Sequence, residues 1–133
     1  MIKLFIGGKG SGKTKTLIEL TNAATEASKG SVVCIEKGDK LRHEITYKAR
    51  LIDTDEYGIT DAKAFYGFIA GILASNSDIT DIFVDSSLKI CCNDVDAFAS
   101  ILPELDKVCK NVNLVMSASI AVEECPDAIK AYA

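Results

Sequence analysis

Residues 1–14 read MIKLFIGGKGSGKT, an apolar run that ends abruptly in glycines and then a lysine and a threonine. Met1 to Ile6 has the near-continuous apolar character of a strand buried on both faces. The residues after the glycines, Lys13 to Ser28, repeat Leu17, Leu20, Ala24 and Ala27 on one face of a helix, with Gly30 just past its end. Strand, glycine loop and helix therefore follow one another with no room between them.

Downstream the same alternation recurs. Ser31 to Ile35 (SVVCI) reads as a second strand and Arg50 to Asp53 (RLID) as a short third one, with Leu41 to Arg50 between them as a short helix or a ribbon. Asp61 to Ser75 is helical, with Phe65, Phe68, Ile69, Ile72 and Leu73 on one face and Thr60 or Asp61 suited to the N-cap. Asp81 to Asp85 (DIFVD) is a strand. Asp94 to Lys110 is helical, with Pro103 expected to kink it or to begin a separate helix. Asn113 to Met116 (NLVM) closes the set of strands, and the tail from Ser117 to Ala133 holds Pro126 and one short helical turn. Strands separated by helices imply parallel crossovers and a sheet covered on both faces. The expected class is α/β, a three-layer α/β/α sandwich on a mainly parallel five-stranded sheet.

Composition sets the scale and removes several functions. The 133 residues, 48% hydrophobic and 26% charged, suit one domain, residues 1–133, that buries roughly 65% of its unfolded surface. The net charge is −4, and the 15 Lys and Arg are dispersed, so no basic footprint for nucleic acid or anionic lipid is present. No segment reaches the roughly 20 apolar residues that span a bilayer, and no membrane insertion is expected. Five cysteines without a C-x-x-C pair, and His43 as the only histidine, make poor material for a zinc site or a disulfide framework. A reducing, cytoplasmic location is the expectation.

The opening stretch matches G-x-x-x-x-G-K-[ST], the P-loop or Walker A pattern, across Gly7, Gly8, Lys9, Gly10, Ser11, Gly12, Lys13 and Thr14. Its placement is the one the chemistry requires. Glycines let successive N–H groups point at phosphate oxygens, and the helix start adds its positive end. Lys13 is expected to reach the β and γ phosphates and Thr14 to ligate Mg²⁺. ITDIFVD, residues 79–85, then ends an apolar strand on Asp85, at the carboxyl end where ligands of α/β sheets bind, as in a Walker B motif. ATP and Mg²⁺ are the expected ligands.

With these motifs in place the chain, over about residues 1 to 119, resembles the RecA-like branch of P-loop ATPases. In that branch the catalytic Glu ends the strand after the P-loop helix, where SVVCIE puts Glu36. The order RLID, TDEYGITDAKAFYGFIAGIL and DIFVDSSL is similar to the family's third strand, helix and Walker B strand. NLVMS is similar to the next core strand, whose polar end senses the γ-phosphate and is here Ser117. Glu36 has a second reading, as a solvated residue opening the turn Glu36-Lys37-Gly38-Asp39. A fainter resemblance links CIEKGD to the acidic box of the pilus-retraction and secretion ATPases, whose further domain and His and Arg elements have no counterpart in this sequence.

Ser86 and Ser87 stand where AAA+ and ABC-type ATPases carry Glu after the Walker B Asp. A GTPase would show N-K-x-D after a later strand, and none is found. The arginine-rich lid of small-molecule kinases is lacking, which makes that class a weaker fit. Thymidine kinase shares a similar strand order but needs a Glu beside Walker B and a zinc-bearing lobe. Two functions remain: a Mg²⁺-dependent ATPase with Lys13 and Glu36 as catalytic residues, or a slow or non-hydrolysing nucleotide-binding sensor or adaptor. ATPases of this branch often form rings completed by a neighbour's arginine. Arg42 and Arg50 are the available arginines, and a partner protein or a homo-oligomer is an expected partner besides the nucleotide.

Four further features carry blander expectations. Cys91-Cys92 is read as packing, His43 as a surface or ribbon residue, Gly67 and Gly71 as a close approach of a helix to the sheet, and Asp53-x-Asp55-Glu56 as a solvated turn or cap.

Overall fold

A computed structural model describes residues 1–133. Five strands form one sheet: β1 (Ile2–Gly7), β2 (Ser31–Glu36), β3 (Arg50–Asp53), β4 (Ile79–Val84) and β5 (Asn113–Ser119). Their order across the sheet is β1-β5-β4-β2-β3, and every neighbouring pair is parallel. All strands therefore deliver their carboxyl ends to one edge. Strand β1, which leads into the glycine loop, and strand β4, which leads into Asp85, are not adjacent; β5 lies between them, with Phe5 paired to Ser117 and Val84 to Met116.

Alternation along the strands assigns the layers. Val33, Ile35, Ile82, Val84, Leu114 and Met116 face one side, where they pack with α2 (Ala62–Ser75), the single turn α3 (Ser87–Ile90), α4 (Val95–Val108) and α5 (Asp127–Lys130). Val32, Cys34 and Phe83 face the other, against Leu17 of α1 (Lys13–Ala27). The chain is an α/β protein with helices on both faces of a five-stranded parallel sheet, a three-layer α/β/α sandwich.

The segment between β2 and β3 is neither helix nor ribbon. It is a chain of turns that lowers Leu41, Ile45 and Ala49 onto the α1 side of the sheet. Its apolar residues recur every four positions, enough for burial without a continuous helical face. Helix α4 runs unbroken through Pro103. Interior proline costs a helix about 3 kcal/mol, and here Phe98, Leu102 and Leu105, all fully buried on either side of it, bind both halves to one core. Gly67 and Gly71 face outward, with nothing within 4 Å of where a Cβ would stand; the buried stripe of α2 is Ala62, Phe65 and Ile69, so the expected close approach to the sheet does not occur. Asp61 caps α2, accepting from the Ala64 N–H at 2.7 Å.

The tail does more than add a turn. Ile129 is buried, and the carbonyl of Tyr132 accepts from the N–H of Leu4 at 2.8 Å, covering part of the free edge of β1. No helix is long and apolar enough to cross a membrane.

Candidate functional site

The loop from β1 to α1 turns through Gly10 and Gly12, both in the left-handed region at φ 80° and 85°, a conformation that side chains with a Cβ rarely adopt. Gly12 is the N-cap of α1, so the first N–H groups of a 15-residue helix open onto the loop. Lys13 arches back over this turn, its Nζ donating to the Gly8 carbonyl at 2.9 Å and to Ser11 Oγ at 3.2 Å. The ammonium is thus placed over the concave side of the loop.

Three polar groups converge on Asp85 from three elements. Thr14 Oγ1, in the first turn of α1, donates to Asp85 Oδ1 at 3.1 Å. Ser117 Oγ, in β5, donates to the same oxygen at 3.0 Å and accepts from the Ser86 N–H at 2.8 Å. Ser86 Oγ reaches the second oxygen, Oδ2, at 3.3 Å. Ser86 holds φ at 56°, which is uncommon for a residue with a Cβ, and this bend carries the chain out of β4 and directly into α3. Ser87 Oγ closes the network by donating to the Ser117 carbonyl at 2.9 Å. Ser117 itself is 1% exposed, so it acts on the site through Asp85 and Ser86.

Beside these groups lies a cleft of about 660 Å³, lined by Lys9, Gly10, Gly12, Lys13, Thr14 and Lys15 from the loop and α1, together with Lys40, Ser86, Lys89, Asn93 and Ser119. Five of these are lysines, none is acidic and none is apolar. None of the five forms an ion pair with a carboxylate. Such a cleft suits a polyphosphate. No apolar side chain along this lining is available to hold a nucleotide base.

No group of three or more His, Cys, Asp or Glu side chains is arranged to hold a metal ion. Mg²⁺ does not need one, since it is commonly held by one or two protein oxygens and completed by phosphates and water. The hydroxyl of Thr14 and the carboxylate of Asp85 form a pair of that kind.

Glu36, at the end of the neighbouring strand β2, makes no hydrogen bond to this cluster. It does open the turn after β2, but it is 2% exposed rather than solvated. Its two oxygens accept from the N–H groups of Lys40 at 3.0 Å and Leu41 at 3.1 Å. Burial raises its pKa, the two backbone N–H groups pull it down, and the charges of Asp85 and Asp53 push it up.

The remaining candidates are structural. Asp53 accepts from the N–H groups of Gly38 and Asp55, each at 2.8 Å, and Asp55 pairs with Lys37 at 2.6 Å; the acidic cluster is a cap and a surface ion pair. Cys91 is buried and Cys92 exposed. His43 is on the surface, and Arg42 and Arg50 do not line the lysine-rich cleft. Sequence reasoning missed Lys15, Lys40, Ser86, Lys89, Asn93 and Ser119. Five of these lie at or beyond the carboxyl ends of β2, β4 and β5, and only the strand order brings them to one place.

No protein-family model matches the chain, and comparison with curated proteins finds no match.

Proposed function

We propose that this chain is a P-loop protein of RecA-like type that binds a nucleoside triphosphate, ATP or GTP, with Mg²⁺. The observation that carries the reading is the Thr14–Asp85 pair beside a lysine-lined cleft that Thr14 itself lines, with Lys13 over the loop. Thr14 and Asp85 are the residues that would hold Mg²⁺, which when bound would supply positive charge to offset that of the phosphates. Lys13 would trade its bonds to Gly8 and Ser11 for the β and γ phosphates, and the loop N–H groups would take the remaining oxygens.

Glu36 is the candidate for orienting water, and in this arrangement both of its oxygens are held by backbone N–H groups and withdrawn from solvent. This favours the second reading, in which turnover is slow and the chain works as a nucleotide-dependent sensor or adaptor, with a partner protein or a second copy reading its state. Fast hydrolysis would require Glu36 to leave the turn.

A thermal-shift series with ATP, ADP and GTP, each with and without Mg²⁺, followed by phosphate release, tests this. Stabilisation by triphosphates that deepens with Mg²⁺, with ATP and GTP within about tenfold in affinity because no apolar wall reads the base, supports the proposal. No stabilisation by any nucleotide defeats it. Phosphate release at rates of about 1 s⁻¹ or more, within the usual enzyme range, would restore the ATPase reading over the sensor.

A further inference from the structure

Glu36 and Lys40 are tied to each other by more than sequence distance. The carboxylate of Glu36 gathers the N–H groups of Lys40 and Leu41, and Leu41, 4% exposed, is sunk among Leu17, Cys34 and Phe83 on the α1 side of the sheet. The same turn is fixed at Gly38, whose N–H donates to Asp53 Oδ1 at 2.8 Å and whose φ is 103°. Backbone from 36 to 41 is thus anchored at three points, and the one long side chain it leaves exposed at the phosphate cleft is that of Lys40. Lys40 has no carboxylate partner.

The direction of entry matters. Strand β2 neighbours β4, so the turn that follows β2 lies on the Asp85 side of the site, whereas Lys9 and Gly10 belong to the loop leaving β1 at the far edge of the sheet. A cation arriving on the Thr14–Asp85 side would stand beside the residues that would hold Mg²⁺, and so toward the terminal phosphates whose charge the metal would help to offset. Lys13 already lies over the loop itself.

We infer that Glu36 is a positioning residue that holds Lys40 over the phosphate cleft, and that Lys40 is a second cation for the terminal phosphate, distinguishing triphosphate from diphosphate. This rests on the triphosphate reading above. It gives Glu36 a purpose that its hydrogen bonds already describe: a buried carboxylate spent on two backbone N–H groups fixes a turn. It also makes Lys40 the element that couples the state of the nucleotide to the surface segment 37–49, since that segment is continuous with Lys40 and packs on the sheet through Leu41, Ile45 and Ala49.

The test is calorimetric titration with MgATP and MgADP of the wild type, Lys40→Ala, Lys40→Arg, Glu36→Gln, the double variant and Lys13→Ala. Lys40→Ala is expected to weaken MgATP by roughly fivefold or more and MgADP by less than about twofold, as loss of one charge-assisted contact would do, and Lys40→Arg to retain most of the preference. Gln at 36 replaces one acceptor oxygen by an amide donor facing an N–H, so Glu36→Gln should also lower the preference for MgATP. The double variant should then be no weaker than Lys40→Ala alone, because both act through one contact. An unchanged ATP-to-ADP ratio in Lys40→Ala overturns the inference, as do additive losses in the double variant or full MgATP affinity in Glu36→Gln. Should Glu36→Gln not fold, the Lys40 ratio and its rescue by arginine decide alone. Loss of MgATP in Lys13→Ala beside an unaffected Lys40→Ala would defeat this inference and leave the triphosphate reading standing; absence of binding by the wild type defeats both.

Discussion

The hydroxyl of Thr14 lies 3.1 Å from Asp85 Oδ1, joining residues 71 positions apart in the chain. A strand-end aspartate and a first-turn threonine meet only because β5 separates β1 from β4 by one strand's width and leaves all three carboxyl ends at the same edge. The same Asp85 oxygen accepts from Ser117, so the carboxylate is aimed before any ligand arrives.

This arrangement predicts a selective loss on Asp85→Asn. The amide keeps the size of the side chain and one acceptor oxygen but is a poorer partner for a hard cation. The Mg²⁺-dependent part of ATP affinity should fall by roughly tenfold, about 1.4 kcal/mol, while binding without metal changes little. Titrations with and without Mg²⁺ check it, and equal weakening in both would reduce Asp85 to a strand-end residue.

Burial of Glu36 gives stability a pH dependence with a defined sign. Its folded-state pKa stands above the ordinary 4.5, chiefly through desolvation, so the folded chain holds this proton more firmly than the unfolded one. The group's favourable contribution is complete below the unfolded value and is lost as pH rises through the folded value. Compared by denaturant unfolding from about pH 4.5 to about pH 7, the wild type should therefore lose stability relative to Glu36→Gln. A difference between the two that stays flat across this range would contradict the burial.

Thiol chemistry offers an independent check of the core. Burial pushes Cys34 and Cys91 up to about 12 and raises Cys109 and Cys125, while Cys92 alone is exposed. Because the thiolate is the reactive form, a thiol reagent should titrate one of the five cysteines in the native state and all five in denaturant. Rapid reaction at a second site would mean that the core opens far more readily than this packing allows.

The legible and illegible parts of the chain divide along physical lines. Strand β1, the glycine loop and α1 were readable because apolar run, glycines and helical period sit side by side and each dictates its own backbone. The buried strands were readable for the same reason, although β5 extends to Ser119, past the Met116 where its apolar residues thin out. The turn segment 41–49 was not readable, since spacing of Leu41, Ile45 and Ala49 fits a helix as well as it fits turns draped over a sheet. Helix α4 passes through Pro103 because the buried residues on both sides outweigh a local cost, a contest that local propensity cannot judge. Lys40 and Lys89 joined the cleft only through strand order. Glu36 was placed at the right strand end, but its partners are backbone N–H groups four and five residues on, which no residue type announces.

The central claim, that the glycine loop with Lys13 holds a triphosphate, is tested most directly by titrating MgATP into the wild type and into Lys13→Ala. Lys13 is only half-buried and its ammonium bonds only within the loop, so the variant should keep the fold and melting temperature of the wild type. The account predicts measurable binding by the wild type and at least tenfold weaker binding by the variant, a loss of about 1.4 kcal/mol or more. Equal affinity in the two proteins, or no binding by the wild type, would contradict it.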